Sequence, residues 1–290
     1  MKLVTYNIQF GKGLDGRVDL DRIADEIRGA DIIALQEVER FWPRSGNTDQ
    51  VASLYSQFSD YYWVYGAGVD MHVENSTPQT PRRRQFGNLL LSRLPIQYSR
   101  HHLLPKYGST GPLSIQRSAI EASIQTGDFA VRFYSVHLTH LSIETRMPQI
   151  EKLLDIHQKA QFEGAPVSGN VAGMDWESGV DSQQVSNLAV MMGDFNFQPD
   201  SPEYDRIIGP ISGYGGHISN PVGLVDAWCE CGNDKMDSST ALVDSAPARL
   251  DYCFVSAQIR DRIKSCRVDT TATGSDHRPV WNRDRFLDRK

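Results

Sequence analysis

Short apolar runs recur along the whole chain, and many of them close on a polar or charged residue. That pattern constrains the fold most, because it asks for many short strands whose ends carry chemistry. Residues 2–8 alternate and are β-branched, which predicts a strand. In residues 20–28, Leu20, Ile23, Ala24 and Ile27 recur at helical spacing, with Asp19 as N-cap and Gly29 as stop. Residues 31–36 read as a buried strand ending in Glu37, so the chain opens strand, helix, strand. Further strands are predicted at 61–64, 88–92, 118–125, 129–138 and 188–192, with short ones at 225–228, 250–256 and 267–271. Helices are predicted at 51–58, 143–162 and 202–208. Residues 66–85 and 163–187 read as long polar loops. No repeat or linker divides the chain, and residues 1–290 are read as one domain. Such a mixture allows a doubly wound sheet, or two packed sheets with helices outside.

Composition narrows the function classes. Hydrophobic residues make up 40% and charged residues 23%, as in ordinary globular proteins. A net charge of −6 supplies no long-range positive field to gather nucleic acid, although a bound metal could supply positive charge locally. The 4 cysteines, Cys229, Cys231, Cys253 and Cys266, are too few for a disulfide framework and lack a second pair to complete a zinc site. No apolar run reaches the length of a signal peptide or of a membrane span, so the expectation is a cytoplasmic protein without a membrane span. Oligomeric state is open.

The polar residues at strand ends suit phosphate-ester hydrolysis. Hard divalent cations take carboxylate oxygens, which Glu37, Asp276 and Asp194 can offer, with Asn196 supplying an amide oxygen. A histidine with a carboxylate partner can take the proton of an attacking water, and His277 with Asp251 is a candidate dyad. Asn7, Asn196 and His137 can donate to non-bridging phosphate oxygens. Each residue also has a plainer reading: Asn7 as a strand terminus bonding its own backbone, Asp194 and Asn196 as an Asx-type turn, His277 as a satisfied structural histidine.

Taken in order, Thr5-Tyr6-Asn7, Gln36-Glu37-Val38, Gly87-Asn88, His137-Leu138, Gly193-Asp194-Phe195-Asn196, Arg249-Leu250-Asp251-Tyr252 and Ser275-Asp276-His277-Arg278-Pro279 form a set that resembles the signature of the endonuclease/exonuclease/phosphatase superfamily. The resemblance spans residues 3–281. It implies an α+β fold, a four-layer αββα sandwich of two mixed sheets face to face. It also implies a divalent cation, Mg²⁺ or Mn²⁺, that activates the attacking water. Carried over by position, Glu37 would be the main metal ligand, with Asn7 and Asp276 beside it. Asp194 would orient the nucleophilic water and Asn196 would bind phosphate. His277 would act as base or charge stabiliser, held by Asp251, and His137 would donate to a phosphate oxygen. Gln9 and His137 depart from the abasic-site endonuclease pattern, which has aspartate and tyrosine there. The glutamate that partners this histidine in deoxyribonucleases is also missing; Glu74 is the nearest.

Substrate candidates are Arg117, Arg84 and Asn88, with the whole run Arg82–Arg84 able to contact phosphates or to be a solvated face. Trp42 and Trp176 could stack on a base or headgroup, or anchor loops. Asp226 is read as structural support and His140 receives no role. The acidic balance favours a small-molecule or lipid-headgroup phosphate ester, with DNA or RNA as the alternative. A non-catalytic binding module is disfavoured because Glu37 and His277 are both present.

Overall fold

The computed structural model describes residues 1–74, 76–169, 185–243 and 245–286. The chain opens as expected, with β1 (Lys2–Asn7), α1 (Leu20–Ile27) and β2 (Ile32–Arg40). Asp19 caps α1 by accepting from the Arg22 N–H at 3.0 Å. There follow α2 (Gln50–Gln57), β3 (Tyr62–His72), β4 (Arg83–Ser92), β5 (Ile96–Leu103), β6 (Ser118–Thr126) and β7 (Phe129–His137). The second half runs α3 (Ile143–Glu163), β8 (Ala189–Asp194), α4 (Pro202–Ile208), β9 (Leu224–Asp226), α5 (Ala227–Glu230), β10 (Ala241–Val243), β11 (Ala246–Ala248), β12 (Asp251–Ser256), β13 (Ile263–Val268) and β14 (Val280–Asp284).

These strands make two six-stranded mixed sheets, β13-β14-β1-β2-β4-β3 and β5-β6-β7-β8-β12-β9, with β10 and β11 as a small ribbon. In each sheet a central parallel pair, β1 with β2 or β7 with β8, is flanked by antiparallel neighbours. The sheets pack face to face through Leu3, Ile32, Ala34 and Leu90 on one side and Ala122, Phe133, Val190 and Val255 on the other. The outer face of the first sheet buries Val4, Ile33 and Leu89 against Ile23 of α1 and Leu54 of α2. The second buries Tyr134, Met191 and Phe254 against Leu153 of α3 and Tyr204 of α4. The expected αββα sandwich is therefore the fold, since the central strands of both sheets are covered by apolar layers on both faces. No helix among the described residues is long and apolar enough to cross a membrane.

Several elements differ from expectation. Half of residues 66–85 are strand rather than loop: β3 runs on to His72 and β4 begins at Arg83, so the two pair as a ribbon. Its side chains are largely polar and partly exposed, and the apolar alternation that signals a strand is absent. β5 has the same character, with exposure alternating residue by residue, and was not foreseen; nor was β14. β13 lies earlier than the strand expected at 267–271.

Beneath α3 lies a charged core. Arg132 and Glu121 are 0% exposed. Arg132 donates to His157 Nδ1 at 2.9 Å, and Glu121 pairs with His102 at 2.9 Å. Burial and the nearby guanidinium hold the His157 imidazole down at about 4, so it stays neutral.

Candidate active site

The C-terminal ends of the two parallel strand pairs meet across the sandwich. Asn7 lies opposite Gln36 in the first sheet, and His137 opposite Asp194 in the second. Asp251, at the start of β12, is paired in register with Asp194. The segment after β13 returns Asp276 and His277 to the same place, tied to β1 by a 2.7 Å bond from Ser275 Oγ to the Asn7 carbonyl. Two motif glycines permit this closeness: a Cβ on Gly193 would lie 1.9 Å from the Val136 carbonyl oxygen, and one on Gly87 would lie 2.0 Å from that of Gly66.

Asp194 is the hub. It is 1% exposed, and its Oδ2 accepts from Asn7 Nδ2 at 2.9 Å and Asn196 Nδ2 at 3.2 Å. Its Oδ1 accepts the Asn196 N–H at 2.9 Å. This is the Asx-type turn, with Asn196 in the left-handed region at φ 54. Burial works against the charge, but His277, His137 and Asn7 overcome it and hold the carboxyl well below the usual range.

His277 Nδ1 meets Asp251 Oδ2 at 2.8 Å, and its Nε2 lies 3.8 Å from Asp194 Oδ2. Burial opposes protonation, yet the two carboxylates lift the imidazole to about 10. Thr240 Oγ1 fixes the backbone here, accepting the N–H groups of Leu250 and Asp251 at 2.9 and 3.1 Å.

His137 has a fixed tautomer. Arg117 donates to its Nδ1 at 3.0 Å, and a guanidinium has no acceptor, so the ring proton sits on Nε2. That N–H points at Asp194 Oδ2, 3.3 Å away. Burial and the Arg117 charge both push this imidazole down, so it is neutral. Arg117 is 5% exposed and gives its other terminal nitrogen to His140 Nδ1 at 3.3 Å. Nδ1 of His137 thus meets an arginine rather than a glutamate, and Glu74 lies exposed beyond the end of β3. No local pattern links Arg117, His137 and His140 in the sequence; the strand pairing of β6 with β7 does.

Glu37 sits at an irregularity of β2, in the left-handed region at φ 61, with its side chain 21% exposed. Asn7 Nδ2 is 3.4 Å from its Oε1, while the Asn7 side-chain oxygen Oδ1 accepts the Gln9 N–H at 3.1 Å. Asn7 is thus placed as a brace between the two carboxylates, with its amide hydrogens rather than its oxygen turned to them. Asp276 accepts from Gln9 Nε2 at 2.6 Å, and partial burial together with the charge of Glu37 presses its carboxyl upward. Among the described residues no lysine or arginine ion-pairs with Glu37 or Asp276. Two hard oxygen donors without a cationic partner fit a divalent cation. A second grouping, Asp194, Asp251 and His277, has ligand atoms within 4.8 Å of one another. There the 2.8 Å His277–Asp251 bond already holds a proton, so this cluster reads as a proton-holding chain.

The remaining candidates separate. Asn88 is 1% exposed, and its amide donates to the carbonyls of Ser118 at 2.8 Å and Ser135 at 3.1 Å. The expectation of substrate contact is corrected here: both amide hydrogens tie the two sheets together. Arg84 lies on β4, not in a loop, with its Cζ 5.4 Å from the Trp42 ring. Asp226 accepts from one Arg249 nitrogen, Nη2, on both of its oxygens at 2.8 and 2.7 Å, as structural support would. Trp176 lies outside the described residues.

Residues 4–277 match the model of the Endonuclease/Exonuclease/phosphatase family, and the chain belongs to that family. Among curated proteins none matches. An endonuclease/exonuclease/phosphatase family protein from Leptotrichia buccalis is similar in structure, with a TM-score of 0.65, 20% identity, and coverage of 98% of this chain and 99% of that one. A mannosyl-6-phosphatase from Bacteroides thetaiotaomicron superposes with a TM-score of 0.61 at 17% identity, covering 98% of each chain. A Beutenbergia cavernae endonuclease/exonuclease/phosphatase gives 0.63 at 21% identity, over 97% of this chain and 70% of that one. At these identities the likeness is one of fold.

Proposed function

We propose that this protein is a phosphodiesterase or phosphatase that depends on Mg²⁺ or Mn²⁺ and acts on a small-molecule or lipid-headgroup phosphate ester. The observation that carries the reading is the opposition of two carboxylates without a cationic partner, Glu37 and Asp276, to a carboxylate saturated with donors, Asp194. Glu37 and Asp276 would hold the cation, with Asn7 steadying Glu37. The cation would supply positive charge at the phosphate and lower the pKa of water.

The protein's own groups account for the rest. Asp194 stays ionised and, through the Asn7, His137 and Asn196 donors that it anchors, fixes the groups that receive the phosphate and the attacking water. His137, neutral and protonated on Nε2, gives that N–H to Asp194 at rest and would turn it to a non-bridging oxygen when substrate binds, whereas both Asn196 amide hydrogens are held by the Leu138 carbonyl and Asp194, so Asn196 acts by fixing Asp194. His277, held charged between Asp251 and Asp194, stabilises charge on the phosphoryl oxygens and is the acid at hand for the leaving group. The net charge of −6 favours a small substrate over a nucleic acid, and a structural neighbour bears the name of a sugar phosphatase.

The test is hydrolysis of plasmid DNA, RNA, phospholipids and sugar phosphates, each with Mg²⁺ or Mn²⁺ and with excess chelator. Turnover of a small phosphate ester that vanishes in chelator and returns with metal is expected. Full activity in chelator sinks the metal reading. Preference for DNA or RNA, with affinity falling steeply as salt rises, replaces the substrate reading.

A further inference from the structure

One wall of the cleft carries two arginines, Arg82 and Arg84, with no carboxylate partner among the described residues. Along β4, side chains alternate between the two faces. Asn88 points between the sheets, where it bonds the carbonyls of Ser118 and Ser135. Phe86 and Arg84 therefore follow on the same face, toward the cleft mouth. The Phe86 ring is 4% exposed and its centroid lies 6.3 Å from that of His137. Arg84 is one step further out, about 7 Å along the strand. Arg83 points to the other face and pairs with Asp70.

The surroundings hold Arg84 in place without neutralising it. The Trp42 indole is anchored by its N–H on the Gln85 carbonyl at 2.7 Å. The guanidinium carbons of Arg84 and Arg44 each lie 5.4 Å from the Trp42 ring centroid. Arg44 has its charge met by the buried Glu39 carboxylate, and Arg40 by Asp49. Arg84 makes only a 3.5 Å contact from Nε to the Phe41 carbonyl, and its terminal nitrogens have no hydrogen bond among the described residues. Arg82 lies with its Cζ 5.2 Å from the Phe41 ring, also without a carboxylate partner among them. A chain with a net charge of −6 has acids to spare, yet among the described residues these two guanidiniums stand unmatched, beyond Phe86 from His137. A guanidinium preorganised on an aromatic face with its fork free is suited to a bidentate oxyanion.

We propose that Arg84, assisted by Arg82, forms a second anion subsite, and that the substrate is a phosphate ester carrying a second phosphate about one sugar or nucleoside unit from the scissile phosphorus. This rests on reading the main site as that of a phosphate-ester hydrolase. It goes beyond that reading by excluding esters whose remaining part is neutral.

The experiment measures binding by calorimetry on Mg²⁺-loaded full-length protein. It uses a His277→Ala background, where turnover should be slower by about 10²-fold. One arm compares adenosine 3′,5′-bisphosphate with adenosine 5′-monophosphate; the other compares fructose 1,6-bisphosphate with fructose 6-phosphate. In at least one arm the bisphosphate should bind about ten-fold tighter or more, as a charge-assisted bidentate contact would give. Adding Arg84→Ala or Arg84→Gln should erase that ratio, and Arg84→Lys should keep part of it. The arm that shows the ratio names the spacer. Equal affinity for bisphosphate and monophosphate in both arms overturns the subsite, as does a ratio that survives both Arg84→Ala and Arg84→Gln. Wild-type turnover is scored separately, so a protein that binds bisphosphates but cleaves no phosphate ester would sink the hydrolase reading and keep the subsite.

Discussion

The same strand–helix–strand unit occurs once in each sheet, as β1–α1–β2 and as β7–α3–β8, and the two treat the carboxylate near the end of the second strand differently. In the first unit the backbone turns irregular after Leu35 and lifts Glu37 into a left-handed conformation, leaving its side chain 21% exposed. In the second, β8 stays regular to its end, and Asp194 is buried under donors from Asn7, His137 and Asn196. One carboxylate has no lysine or arginine partner among the described residues. The other spends its oxygens on holding amides and imidazoles. Facing ends of similar topology thus come to differ through a local strand irregularity and a set of donors.

If that division is right, the two carboxylates fail in different ways when removed. Asp194→Asn should lower turnover by roughly 10²–10⁴-fold, because the groups it aligns lose their anchor. Its metal titration midpoint should barely move. A midpoint that moves as far as in a Glu37 variant would erase the distinction between the units.

The connecting helices differ too, and pH reads that difference. α3 carries the neutral His157 on its buried face, whereas α1 contains no histidine. The folded value of about 4 lies below the ordinary 6.5, so the unfolded chain binds the proton more tightly. Stability should therefore fall as pH drops below about 6.5 and level off near 4, with His157 contributing up to about 3 kcal/mol. Denaturant melts of wild type and His157→Gln across this window check it. Parallel curves for the two proteins would remove His157 as the cause.

Glu37→Gln should shift the metal midpoint upward by about ten-fold or more, since a ligand charge is lost while the shape remains. An unchanged titration takes Glu37 off the ligand set. The smallest effect belongs to the seam between the sheets. Asn88→Ala removes two buried hydrogen bonds between the sheets and should cost about 1–2 kcal/mol in a denaturant melt. A wild-type melt would show that the seam does not depend on this amide, and a raised KM in a protein of unchanged stability would return Asn88 to the substrate side.

Much of this arrangement is legible in the chain itself, for reasons that can be named. The β1 strand, the Asp19 cap and the amphipathic α1 and α3 are local signals, set by side-chain period and backbone satisfaction. The Gly-Asp-Phe-Asn motif is legible because the glycine must admit the Val136 carbonyl and the asparagine must close the turn. The β3–β4 ribbon and β5 were not legible. Their faces are partly solvated, so no apolar rhythm marks them.

By itself the sequence determined which residue types stand at strand ends and the family to which their order belongs. Tertiary structure alone decided what each faces. Arg117 and Asn88, two substrate candidates on the same footing in the sequence, parted: one sets the His137 tautomer, the other ties the sheets. Of three successive arginines, strand alternation turned Arg83 toward Asp70 and left Arg84 on the cleft wall. Side-chain period is a local property that the chain carries with it, whereas the partner of a side chain depends on which strand lies opposite, and that is settled only when the two sheets close on one another.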